Sequence, residues 1–178
     1  MEIQLLDACQ SRKIEEVRKL LQDPQININW QDRYGMAPLW TSCDSGYIDI
    51  VKLLLNDERI DVNKTDKYGQ TPFFVACRNG HVEVVKLLLN DERVDVIQAN
   101  EDGQTPFYIA CQNGYLEIVK LLLGSGREIN LIAKNNKGLT AIDIARKEGK
   151  EKIVELIESF QKNPNETRTK LKNEPLGK

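Results

Sequence analysis

The residues of this chain that could do chemistry are four cysteines, one histidine and a few recurring carboxylates. Cys9, Cys43, Cys77 and Cys111 follow one another at intervals of 34 residues. Four thiols suggest a metal centre or a pair of disulfides, and both require the sulfurs to converge. A constant interval works against convergence. If each interval is one structural layer, equivalent positions stand about 8–10 Å apart, the distance between packed helices. That exceeds the ~7 Å limit on Cα separation in a disulfide. The cysteines are therefore read as one reduced, buried position occupied four times.

The remaining candidates fare no better as catalysts. His81 has Tyr47 and Tyr115 at its equivalent positions, which points to packing or capping rather than to a general base. Gly124-Ser125-Gly126 lacks the Lys-Ser/Thr and the strand context of a phosphate loop. Asp91-Glu92 and Asp95 recur as Asp57-Glu58 and Asp61, and carboxylates beside an arginine at a turn read as a solvated face. No nucleophile, base and orienting partner can be assembled. The expectation is a protein that is not an enzyme and carries no cofactor and no metal.

These residues take their places from a repeat. Asn56 to Leu89 reads NDERIDVNKTDKYGQTPFFVACRNGHVEVVKLLL, and Asn90 to Leu123 reads NDERVDVIQANEDGQTPFYIACQNGYLEIVKLLL. Self-similarity at this period marks stacked units rather than one central core. Within a unit, Asp66-Lys67-Tyr68-Gly69 is a turn signal. Thr71 as N-cap with Pro72 at the first helical position starts a helix that should stop at Asn79-Gly80. A second helix is expected from about His81 to Leu89, ended by Asn90 in the left-handed conformation, as Asn56 would end its counterpart. Isolated helices shorter than ~12–15 residues are marginal, so stacking must stabilise both.

Gly-x-Thr-Pro, the short Ala-containing helix, Asn-Gly, the Val-Val-Lys-Leu-Leu-Leu helix and the Asp-Val-Asn that follows together resemble the ankyrin repeat. The resemblance covers roughly residues 1–160 and implies an all-α ankyrin-repeat solenoid of helix-turn-helix units joined by hairpin loops. In coordinates taken from it, residues 1–161 form the repeat domain, with repeats at about 1–32, 33–66, 67–100, 101–135 and 136–161. The first and last repeats carry polar outer faces, as capping repeats should. Residues 162–178 form a polar tail, read as a short helix capped by Asn163 or as a disordered linker.

The resemblance also implies a non-catalytic protein-interaction module, whose hairpin tips and first helices line a concave, partner-facing surface. The candidate contact residues are Arg33, Tyr34, Met36, Trp40 and Asp44 in the second repeat and Lys67, Tyr68, Gln70 and Arg78 in the third. In the fourth they are Glu101, Asp102, Gln104, Tyr108 and Gln112. Trp40, Phe74 and Tyr108 form an aromatic series where the family usually has a histidine. Packing within the stack is favoured for these rings over an exposed stripe. A structural spacer, or the regulatory segment of a larger protein, is the alternative function.

A net charge of -2 over 178 residues gives no pull toward nucleic acid or an anionic membrane. The opening residues lack the pattern of a secretory signal, and no apolar run approaches the length of a membrane span. The expectation is a cytoplasmic monomer, with the nucleus also open to it, that binds a protein and neither nucleic acid nor membrane.

Overall fold

Helix starts follow from two neighbouring residues. Thr71 and Thr105 sit at N-caps with extended backbone, and each side chain accepts a backbone N–H three residues on, from Phe74 at 3.0 Å and Tyr108 at 3.1 Å. Pro72 and Pro106 follow, where no hydrogen-bond donor is missed. Thr140 goes further and forms a reciprocal capping box with Asp143. The hydrogen bonds from Thr140 hold the Asp143 carboxyl below its usual pKa. Ala37 replaces the threonine in the second repeat, and that helix starts with proline but no side-chain cap.

The computed structural model describes residues 2–173. It contains eleven helices and no strand among those residues, and the chain divides into two units, Met1–Asp95 and Val96–Lys178.

The first unit holds three helix pairs: α1 (Glu2–Gln10) with α2 (Ile14–Leu21), α3 (Pro38–Asp44) with α4 (Ile48–Leu55), and α5 (Pro72–Asn79) with α6 (Val82–Leu89). The leading helices α1, α3 and α5 pack in sequence, and so do α2, α4 and α6. The two layers close on a core that includes Leu5, Leu39, Phe73, Phe74, Ile50, Leu54 and Leu88. Each such side chain contributes about 1.5–3 kcal/mol by leaving water. In α2 only Val17 is fully buried, so the outer pair presents polar side chains, as a terminal layer must.

The second unit holds α7 (Pro106–Asn113) with α8 (Leu116–Gly124) and α9 (Ala141–Lys147) with α10 (Glu151–Lys162), followed by α11 (Pro164–Asn173). Ile153, Ile157 and Phe160 recur at helical spacing to give α10 one buried face. Helix α11 packs on α8 and α10. Its Thr167 is buried and donates to the Ser159 carbonyl, while the Arg168 guanidinium lies 5.4 Å from the Phe160 ring centroid. The rest of the expected tail, 174–178, lies outside the described residues.

One expectation about helix ends is corrected. Gly80 and Gly114 do close the first helices in the left-handed conformation. Asn56 and Asn90 are right-handed instead, with φ of -73° and -83°. The N–H of Asn90 bonds the carbonyl three residues back, and the N–H of Asp91 does the same, so a tightened last turn satisfies the helix end. No left-handed residue is needed there.

Candidate functional site

The hairpin tips of the first unit are built around two aspartates. An Oδ1 of Asp32 accepts the N–H of Tyr34 at 2.8 Å and of Met36 at 3.0 Å. Asp66 does the same for Tyr68 at 2.9 Å and Gln70 at 2.8 Å. Backbone bonds close each turn, from Gly35 to the Asp32 carbonyl and from Gly69 to the Asp66 carbonyl. The aspartates thus serve the turn's own backbone, and Arg33-Tyr34 and Lys67-Tyr68 project outward. All four are exposed.

The two tips are joined. The Lys67 N–H donates to the Tyr34 carbonyl at 3.0 Å, and the Gln31 amide donates to the carbonyls of Gly35 and Thr65. Gly35 is required at this contact: its φ is +79°, and a Cβ there would lie 2.7 Å from the Lys67 nitrogen. The junction brings the four side chains into a row. The Arg33 guanidinium carbon lies 4.6 Å from the Tyr34 ring centroid, and the Lys67 ammonium lies 4.7 Å from that ring and 4.9 Å from the Tyr68 ring. Contacts of this type contribute about 0.5–1 kcal/mol each at exposed sites. Tyr34 remains 40% exposed and Tyr68 53%.

A second cluster of expected contact residues is engaged within the fold. Arg78 bridges to Asp44 at 2.7 Å and bonds Gln70. Asn79 donates to the carbonyl and carboxylate of Asp44 at 2.8 and 2.9 Å, and the His81 ring Nε2 donates to the same carbonyl at 2.8 Å. His81 is thereby placed as a packing residue between layers.

The aromatic series belongs to the core. Trp40 is 6% exposed and its indole N–H donates to the Gln70 carbonyl at 3.0 Å. Phe74 is fully buried. Tyr108 is buried with its hydroxyl accepting from Asn135 at 3.0 Å, and burial, with Glu148 and Asp143 nearby, raises its pKa. Trp40 and Tyr108, both among the expected contact residues, are thus buried in the fold. Met36 is half-buried.

In the second unit, Glu101 and Asp102 are exposed on their own tip, and Asn136 bonds the carbonyls of both through its side chain and backbone N–H. Gln104 and Gln112 are half-buried and bond each other at 3.4 Å.

Two further sets of residues escaped the sequence reading. The Asp57 and Arg59 pair is more than a solvated face. The Arg59 guanidinium holds Asp57 at 2.6 Å and donates to the carbonyls of Leu21, Asp23, Pro24 and Ile26 in the preceding loop. Its hydrogen bonds keep the Asp57 carboxyl below the usual range. Arg93 repeats the arrangement with Asp91 and the Leu55 carbonyl. Asn29 clips the loop of the next layer by donating to the Arg59 carbonyl and accepting from the Asp61 N–H, both at 2.8 Å, and Asn63 does the same one repeat on. Recurrence at the repeat interval was the available signal for both sets.

The four cysteines are buried and free. Burial raises the Cys9 thiol pKa to about 12 and pushes the other three up further. Among the described residues no group of His, Cys, Asp and Glu could hold a metal ion, and no helix is long and apolar enough to cross a membrane.

A family model described as ankyrin repeats (3 copies) matches residues 5–100, 58–133 and 93–168. The chain belongs to the ankyrin-repeat family. Ankyrin repeats are generally protein–protein interaction modules and are typically non-catalytic. A comparison with curated proteins gave no match. The ankyrin framework accounts for the Thr-Pro starts, the paired helices and the tip turns. What it leaves to this chain is the choice of side chains on the tips.

Proposed function

We propose that this ankyrin-repeat protein is a non-catalytic recognition module that binds a protein partner through its hairpin tips, with Arg33, Tyr34, Lys67 and Tyr68 as the principal contacts. The observation that carries this is the exposed row of two cations and two tyrosines on hydrogen-bonded tips. Most of the other expected contacts of the first unit are buried or bonded to one another. Tyrosine and arginine are enriched at binding hot spots, and tyrosine offers large contact area at low entropic cost. The turns are fixed by Asp32, Asp66 and Gln31, so little backbone ordering is required on association. The acidic tip at Glu101 and Asp102 contributes contacts of opposite charge. The protein acts as a monomer in the cytosol or nucleus, a placement supported by four free thiols.

Affinity capture from a lysate of the source organism tests the proposal. Wild type is compared with a Tyr34→Ala/Tyr68→Ala variant that melts at the same temperature. A protein held by the first and lost from the second is the expected result. Capture that is unchanged by the substitution would move the reading to a spacer or regulatory segment.

A further inference from the structure

We infer that the Arg33–Tyr34–Lys67–Tyr68 row takes an acidic, extended segment of the partner, with carboxylates on alternate residues meeting the two cations. The inference rests on the recognition reading above and adds the chemistry of what is recognised. Its first support is charge left uncompensated. Of the six arginines in the first unit, Arg12, Arg18, Arg59, Arg78 and Arg93 each hold a carboxylate, and Arg33 holds none among the described residues. Lys67 holds none among the described residues either. The nearest acids in sequence, Asp32 and Asp66, direct their Oδ1 atoms to the backbone of their own turns.

The second support is distance. Arg33 and Lys67 lie on one ring, at 4.6 and 4.7 Å from its centroid. Their charges are therefore closer than the ~10 Å over which exposed charges influence one another in 0.1 M salt. Two like charges held this close repel, and a carboxylate pair placed over them converts that repulsion into attraction. Alternate residues of an extended chain lie on one face about 6.5–7 Å apart, a spacing on the scale of the separation that sharing one ring allows the two cations. The cations already cover the Tyr34 ring, which disfavours its use as a platform for a nucleic-acid base. The equivalent tip positions in the second unit are Glu101 and Asp102, which an acidic segment would avoid.

The test is a fluorescence-anisotropy titration of the full chain with a fluorescein-labelled peptide of alternating Glu and Thr. A peptide of alternating Gln and Thr is the neutral control. The expected result is at least tenfold tighter binding of the Glu peptide, weakening as salt rises. An Arg33→Gln/Lys67→Gln variant with unchanged melting should lose at least tenfold, and a Lys19→Gln/Lys52→Gln variant, which removes the same charge at exposed positions away from the tips, should lose nothing. Equal affinity for the two peptides, or indifference to the Arg33/Lys67 change, overturns the inference. So does displacement by tripolyphosphate at equal charge, which would make the row a general anion site. Equal competition by a single-stranded oligothymidylate would reassign it to nucleic acid. If tip-dependent capture from lysate survives while the Glu peptide fails, acidic recognition falls and the recognition module stands. If capture is independent of the tips, the recognition reading itself falls.

Discussion

Asp66 and Asn100 occupy the same position in successive tip turns and perform the same task with different charge. Asp66 accepts the N–H groups of Tyr68 and Gln70, and Asn100 accepts those of Asp102 and Gln104. The turn therefore requires an acceptor oxygen and not an anion. Asp66→Asn should change stability by less than ~0.5 kcal/mol, whereas Asp66→Ala should cost ~1–3 kcal/mol by stranding two donors. Urea denaturation of the two variants separates the cases, and an equal loss in both would assign the role to charge. Arg59 makes a second residue-level case. One planar fork serves a carboxylate and four carbonyls, which a lysine's compact ammonium cannot reproduce. Charged hydrogen bonds contribute ~1.5–3 kcal/mol, less when exposed, so Arg59→Ala should cost ~1–2 kcal/mol. Arg59→Lys should recover less than half of that in the same urea assay, and full recovery would reduce the residue to a point charge. The repeat interval marked Arg59 as a recurring position, and the four tip residues were candidate contacts from sequence, but neither the carbonyls that Arg59 holds nor the approach of Lys67 to the Tyr34 ring was legible there. Both depend on which loop of the preceding repeat lies within reach, and a one-dimensional pattern does not supply that approach.

At the scale of the element, most of the structure was legible because local chemistry decides it. Thr71-Pro72 and Thr105-Pro106 set the helix starts, and Gly80 and Gly114 set the ends, all within a few residues of where they act. Asn56 and Asn90 were misread because a tightened turn satisfies the same carbonyls without a left-handed residue. The side-chain assignment was clear where burial decides it: Cys43, Cys77 and Cys111 lie wholly inside, as does Leu88. Helix α6 is too short to stand alone, so its stability is that of its packed face. Leu88 is fully buried among the second helices of its layer, and Leu88→Ala should cost ~2–5 kcal/mol through the cavity it leaves. Thermal and urea unfolding would both report the loss. A cost under ~1 kcal/mol would mean that the face closes over the gap, and that packing at α6 is looser than its burial implies.

At the scale of the whole molecule, the thiols that do no chemistry set a limit on stability at alkaline pH. Each cysteine ionises near pH 8.5 in an unfolded chain, while burial holds Cys9 up to about 12 and Cys43, Cys77 and Cys111 higher still. The folded pKa lies above the unfolded one, so the stabilising contribution is complete below pH ~8.5 and declines as pH rises toward the folded value. Above pH ~8.5 the unfolded chain has released protons that the folded chain retains, and mass action favours unfolding. Between pH 7 and pH 9.5 the loss is about 1.4 kcal/mol per thiol. For Cys9, Cys43 and Cys77 of the first unit together it reaches ~4 kcal/mol, a large share of the ~5–15 kcal/mol that stabilises a typical domain. Tyrosine and lysine titrate near pH 10 and above, so below pH 9.5 their share of the change is small beside that of the thiols. Urea midpoints measured across that window should fall steeply for the wild type. In a Cys9→Ala/Cys43→Ala/Cys77→Ala variant the first unit's share of that slope should vanish, even though the truncated side chains lower stability at pH 7. A wild-type midpoint that does not move between pH 7 and pH 9.5 would show that these sulfurs reach water in the native state, and the reading of one buried position repeated along the chain would fall with it.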